Sequence, residues 1–128
     1  MRCLLDTNVF LWATGSPDRL SRRVRAALED PETEAFVSHA SVWEIAIKVS
    51  RGRLNLAGEL SDFLPRAMIS HRLDGLPIQL RHIRAVADLP WLHRDPFDRL
   101  LISQAQIEQM PILSADRAIA QYNVQVIW

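Results

Sequence analysis

The chain has 128 residues, 15 lysines plus arginines against 15 aspartates plus glutamates, and a hydrophobic fraction of 48%. That length fits one domain over residues 1–128, and the zero net charge argues against loose nonspecific nucleic-acid binding. No apolar run approaches the roughly 20 residues that cross a bilayer, so no membrane segment is expected.

The N-terminus does not read as a signal peptide, because Asp6 breaks the short apolar run after a single basic residue. Cys3 stands alone and allows neither an internal disulfide nor a CxxC metal clip, which fits a reducing cytoplasmic setting. Lys48 is the single lysine, and every other basic residue is arginine. Guanidinium forks match phosphate geometry, although a GC-rich genome would leave the same imprint.

In chain order, Arg2-Cys3-Leu4-Leu5 predicts a short strand that stops at Asp6-Thr7-Asn8. Val9 to Trp12 begins a short helix closed by Gly15-Ser16-Pro17. A second helix has Ser21 as cap and turns Val24, Ala27 and Leu28 inward before Asp30-Pro31-Glu32 breaks it. Ala35-Phe36-Val37 is the second strand. It leads into a helix from about Ser38 to Arg51, with Val42, Ile45, Ala46 and Val49 at helical spacing.

Gly52 ends that helix, and Glu59 to Ser70 forms another on Leu60, Phe63, Leu64 and Ala67. Leu76-Pro77-Ile78 is the weakest strand signal, followed by a helix through Ile83 and Val86 that stops at Leu89-Pro90. Asp95 caps the next helix, Pro96 to about Gln109, with Asp98 in its first turn. Pro111 to Ser114 is a fourth strand, Asp116 to Tyr122 a short helix, and Val124 to Trp128 a last strand. No internal repeat or linker interrupts the sequence.

Short apolar strands alternating with helices imply βαβ units and a parallel sheet covered on both faces. Right-handed crossovers then bring every strand's carboxyl end to one edge, where ligands bind. Asp6 follows the first strand, Glu44 lies early in the helix after the second, and Asp116 follows the fourth. Asp98 joins them if its helix starts at that edge. Each acid singly also fits capping, and Ser41 to Glu44 fits a capping box. Capping does not explain why acids recur at one end of the sheet. Together they would repel and push pKa values up, which a hard divalent cation such as Mg²⁺ or Mn²⁺ relieves.

These residues resemble the PIN-domain family, and within it the VapC-type toxins of toxin–antitoxin pairs. The resemblance rests on Leu4-Leu5-Asp6-Thr7-Asn8, Ser41-Val42-Trp43-Glu44-Ile45-Ala46-Ile47-Lys48, His93-Arg94-Asp95-Pro96-Phe97-Asp98-Arg99-Leu100-Leu101-Ile102 and Ser114-Ala115-Asp116, in that order over the whole length. It implies a PIN-like three-layer α/β sandwich with a central parallel sheet of about five strands flanked by helices. It also implies a Mg²⁺- or Mn²⁺-dependent endoribonuclease leaving 5′-phosphate and 3′-hydroxyl ends. Asp6, Glu44, Asp98 and Asp116 match the family's catalytic, metal-holding quartet. A homodimer and a cognate VapB-type antitoxin laid across the groove are further implications.

Around the quartet, Thr7, Asn8 and Ser114 are placed to orient carboxylates, with turn chemistry as the alternative. Arg94, Arg99 and Arg117 flank the acids as candidates for RNA phosphates, with solvated helix ends as the alternative. Asp95 reads as a cap. His93 lies near the acids, but a metal would already supply the base function. His39, His71 and His82 show no ligand spacing. Trp43 alternates with core positions and Trp128 ends a strand, so core or dimer packing is expected for most of Trp12, Trp43, Trp91 and Trp128. Lys48 is expected to snorkel from the Glu44 helix.

Two rivals compete with the nuclease reading. A phosphatase of the haloacid-dehalogenase type would use Asp6 as nucleophile, but would want a second aspartate where Asn8 stands. A non-catalytic module would grip RNA or a protein without cutting; strand scission that requires metal separates it from the nuclease.

Overall fold

The computed structural model describes residues 1–128, and its centre is a five-stranded, fully parallel sheet. The strands are β1 (Arg2–Leu5), β2 (Glu34–Ser38), β3 (Leu73–Leu76), β4 (Ile112–Leu113) and β5 (Val126–Ile127). Their order across the sheet is β3-β2-β1-β4-β5. The chain therefore winds outward from β1 in one direction and then in the other. β1 and β4 meet at the reversal, the place where an open α/β sheet leaves a crevice at its carboxyl edge.

The period-2 alternation of strand side chains sorts the core into two layers. Cys3, Leu5, Ala35, Val37, Leu113 and Ile127 face one side, with Val9, Phe10, Val24, Ile45 and Ala67 from the helices above. Leu4 and Ile112 face the other, packed on Leu101, Ile102, Ala105, Ile119 and Tyr122. The helices are α1 (Thr7–Gly15), α2 (Arg22–Glu29), α3 (His39–Ser50), α4 (Leu60–Ser70), α5 (Leu80–Val86), α6 (Pro96–Glu108) and α7 (Arg117–Ala120). The three-layer sandwich is as the sequence implied. No helix is long and apolar enough to cross a membrane.

Local chemistry sets the helix starts. Asp6 accepts from Val9 N, Ser21 from Val24 N, Ser38 from Ala40 N, Asp95 from Phe97 N and Asp98 N, and Asp116 from Ala118 N. Because Asp6 caps it, α1 begins at Thr7, two residues before the apolar pattern suggests. Gln109 closes α6 in the left-handed conformation.

Two strand expectations need correction. β3 is Leu73–Leu76 and not Leu76–Ile78. It is an edge strand paired with β2 alone, so the exposed Asp74 and Gly75 are tolerated despite low β-propensity, and they hide it from an apolar scan. Gly75 lies close to His39: a Cβ there would stand 3.0 Å from His39 Nε2, a tight contact that a small shift of the exposed imidazole would relieve. The last strand shrinks to Val126–Ile127, matched to a two-residue β4.

Candidate active site

Parallel strands and the helices that return between them bring four chain segments to the carboxyl edge. Asp6, at the end of β1, is buried at 5% exposure. Its Oδ1 accepts from Val9 N at 2.7 Å, and its Oδ2 accepts from the Ser114 hydroxyl beyond β4. Ser114 Oγ in turn accepts from Asp116 N at 3.0 Å. One buried hydroxyl thus ties the acid after β1 to the acid after β4, across the topological reversal.

Glu44 approaches from α3. The capping-box alternative fails here, because Ser38 caps α3 and Ser41 lies inside the helix, buried. Glu44 instead accepts from Thr7 Oγ1 at 2.7 Å, and Thr7 Oγ1 lies 2.9 Å from Ser41 Oγ. Its second oxygen pairs with Lys48 Nζ at 3.1 Å. Lys48 therefore has a carboxylate partner rather than simply snorkelling.

Asp98 approaches from α6. Its backbone N–H is capped by Asp95, which leaves its carboxylate free to turn toward His93 Nε2 at 3.2 Å. His93 is held from behind by Tyr122, whose hydroxyl lies 2.8 Å from Nδ1 and accepts from Arg99 Nη1 at 2.9 Å and from His93 N at 3.3 Å. With both acceptor positions filled, the Tyr122 proton points at Nδ1. His93 then presents Nε2–H to Asp98.

The acids repel one another. Burial, then the charges of Asp116 and Glu44, push the Asp6 carboxyl up to about 6 against the pull of Ser114 and Val9. Burial, then the charges of Asp95 and Asp116, push Asp98 to about 6, while His93 opposes the shift. The interactions run Glu44–Asp6–Asp116–Asp98, so all four expected acids share one electrostatic neighbourhood. No three of them close into a ready-made metal cage. Hydrogen bonds hold each one individually, and like charges keep their distance.

This donor set suits a hard divalent cation. It offers carboxylate oxygens, excess negative charge and partial burial, and Mg²⁺ needs only one or two direct carboxylates because it keeps several waters.

The surrounding expectations divide. Thr7 and Ser114 orient carboxylates. Asn8 is exposed, with no hydrogen bond from its amide to any of the four acids, so the structure does not bring it into that role. Arg94 and Arg117 are exposed beside the acids. Arg99 is not a solvated helix end: it is 3% exposed and donates to Pro90 O, Leu89 O and Tyr122 while stacking over Trp91 at 4.1 Å. A guanidinium so enclosed has no face for RNA phosphate. Trp43 is not core either, at 58% exposure beside Phe97. Tyr122 was absent from the sequence candidates. It is the chain's one tyrosine, and nothing about its spacing marks it.

A family model described as PIN domain matches residues 3–125. No curated protein sequence matches the chain. Among solved structures, the fold is similar to VapBC2 from Rickettsia felis bound to a DNA fragment from its promoter, with TM-score 0.74, 15% identity, and 99% and 98% of the two chains covered. It is similar to DNA-bound VapBC from Salmonella typhimurium, with TM-score 0.72, 13% identity, and 99% and 97% covered. VapBC-1 from nontypeable Haemophilus influenzae gives TM-score 0.67 at 14% identity, with 99% and 97% covered.

Proposed function

Because the chain belongs to the PIN domain family, whose members are nucleases, we propose that it is a metal-dependent endoribonuclease of the VapC toxin type. The observation that carries this reading is that Asp6, Glu44, Asp98 and Asp116, from four separate chain segments, converge at the carboxyl edge of the sheet, where Ser114 links Asp6 to Asp116 and Thr7 holds Glu44. Asp6 and Asp98 would hold Mg²⁺ or Mn²⁺ directly, and Glu44 and Asp116 directly or through water. Such a cation, when bound, supplies an activated water and charge stabilisation at the scissile phosphate.

The chain's own groups do the positioning. Ser114 fixes Asp6, Thr7 and Lys48 fix Glu44, and the Tyr122–His93 pair aims at Asp98. Products with 5′-phosphate and 3′-hydroxyl ends are expected.

The similar solved structures are VapBC assemblies, and this supports a VapB-type antitoxin as partner; a homodimer as the working unit is part of the same proposal. Incubation of purified protein with RNA in Mg²⁺, Mn²⁺ or EDTA tests the reading: scission in metal and none in EDTA is the expected result.

A further inference from the structure

Of the four acids at the carboxyl edge, Glu44 alone carries a permanent cation. Lys48 Nζ stands 3.1 Å from its Oε2, whereas Asp6, Asp98 and Asp116 pair with no lysine or arginine. The other oxygen is engaged as well. Oε1 lies 2.7 Å from Thr7 Oγ1, and a carboxylate outcompetes the Ser41 hydroxyl for that single proton. Glu44 thus meets donors of the protein itself on both oxygens.

An i,i+4 pair of glutamate and lysine on a helix is ordinarily a solvated contact of small effect. This pair differs in its setting. The Glu44 side chain is only 14% exposed, and its charge is felt at the buried Asp6. The residue type also stands out, because the chain uses arginine at every other basic position. A guanidinium is a flat fork that spreads its charge, whereas an ammonium concentrates it at one point, as a metal ion does.

Charge then limits what the site can hold. The four carboxylates and one ammonium leave three negative charges, enough for one divalent ion and short of the four that two would need. Asp95 stands outside this set, engaged as the cap of α6. We propose that the Lys48 ammonium takes the place of a second metal ion at Glu44, so that the site loads a single divalent cation on its aspartates. This rests on the metal-dependent reading above and narrows it. Lys48 is a positioning residue that acts through Glu44, and Glu44 reaches the ion through water at most.

The test counts Mn²⁺ bound per purified chain at pH 7.5, without RNA, from the electron paramagnetic resonance signal of the free ion. Wild type takes up one. Lys48→Met keeps the length of the side chain, removes its charge and frees Glu44, so the count doubles to two. Lys48→Arg keeps the charge and the count of one. The control is Arg51→Met, which removes an exposed cation lining the same cavity as Glu44 and Lys48 and leaves the count at one. Urea melts confirm that each variant folds.

Two ions on the wild type overturn the proposal. One ion on Lys48→Met overturns it equally and reduces the pair to an ordinary helix contact. A second ion on Lys48→Arg or Arg51→Met would also sink it, because the effect would then not belong to the charge at Glu44. Scission of RNA in Mn²⁺ is scored separately on the wild type. Scission alongside any of these contrary counts spares the nuclease and refutes the role of Lys48, whereas a wild type that takes up no Mn²⁺ refutes the metal-dependent reading itself.

Discussion

The Ser114 hydroxyl donates to Asp6 Oδ2 across 108 residues of sequence, at the point where the sheet reverses direction. This bond lowers the cost of a buried negative charge that its neighbours raise.

Ser114→Ala should therefore weaken divalent-metal binding by roughly 10- to 100-fold, the usual effect of losing a group that orients a ligand. Titration calorimetry with Mn²⁺ reads it directly. Unchanged affinity would mean that Asp6 needs no such support.

The raised Asp6 and Asp98 carboxyls make stability depend on pH in a direction opposite to that of ordinary ion-paired acids. The folded chain holds protons on these groups up to about pH 6, the unfolded chain only to 3.8. Without metal, their contribution is complete below about pH 4 and is lost as pH rises through about 6. For Asp6 alone the loss is on the order of 3 kcal/mol. Glu108, held below its usual range by the His82 hydrogen bond, works the other way and loses its contribution as pH falls. Thermal melting in EDTA should show greater stability near pH 5 than at pH 7.5. Mn²⁺ at 100 times its Kd should restore about 2.7 kcal/mol at pH 7.5 and far less at pH 5.

Tyr122→Phe removes the acceptor of Arg99 Nη1 and the partner of His93 Nδ1. A buried guanidinium losing one partner costs about 1–3 kcal/mol, read as a lower midpoint in urea. Released from Tyr122, His93 would also hold Asp98 less firmly, so cleavage should fall more than stability alone predicts. Wild-type cleavage at a temperature where the variant is fully folded would remove Tyr122 from the site.

Arg94 and Arg99 should respond differently despite their spacing of five residues. Arg94→Ala reduces the salt dependence of RNA binding. Arg99→Lys keeps that dependence and lowers the melting temperature, because a lysine cannot reproduce the fork to Pro90, Leu89 and Tyr122. A shallower salt slope in Arg99→Lys with normal melting would reverse the assignment.

Where side-chain type decides the local structure, the fold could be read in advance. The caps Ser21 and Asp95, the alternation of Leu4 with Cys3 and Leu5, and the acids after β1 and β4 all follow from short-range chemistry. What escaped depends on neighbours remote in sequence. β3 is a strand because β2 offers it an edge to pair with, residue for residue from Leu73 to Leu76. Arg99 is buried because Tyr122 and the Leu89–Pro90 carbonyls enclose it, although its flanking sequence is that of an exposed helix start. Glu44 looked like half of a capping box until Ser38 proved to be the cap. Tyr122 enters the site through partners 23 and 29 residues away, which no local pattern encodes.

The decisive measurement is cleavage of RNA by purified wild type, Asp6→Asn and Asp98→Asn in Mn²⁺, beside Mn²⁺ affinity for the same three proteins. Asparagine keeps the shape of each side chain and removes its charge. Loss of at least about 100-fold in cleavage, with weakened Mn²⁺ binding and intact folding in both variants, is the expected result. Full cleavage by both variants would contradict a nuclease built on these carboxylates.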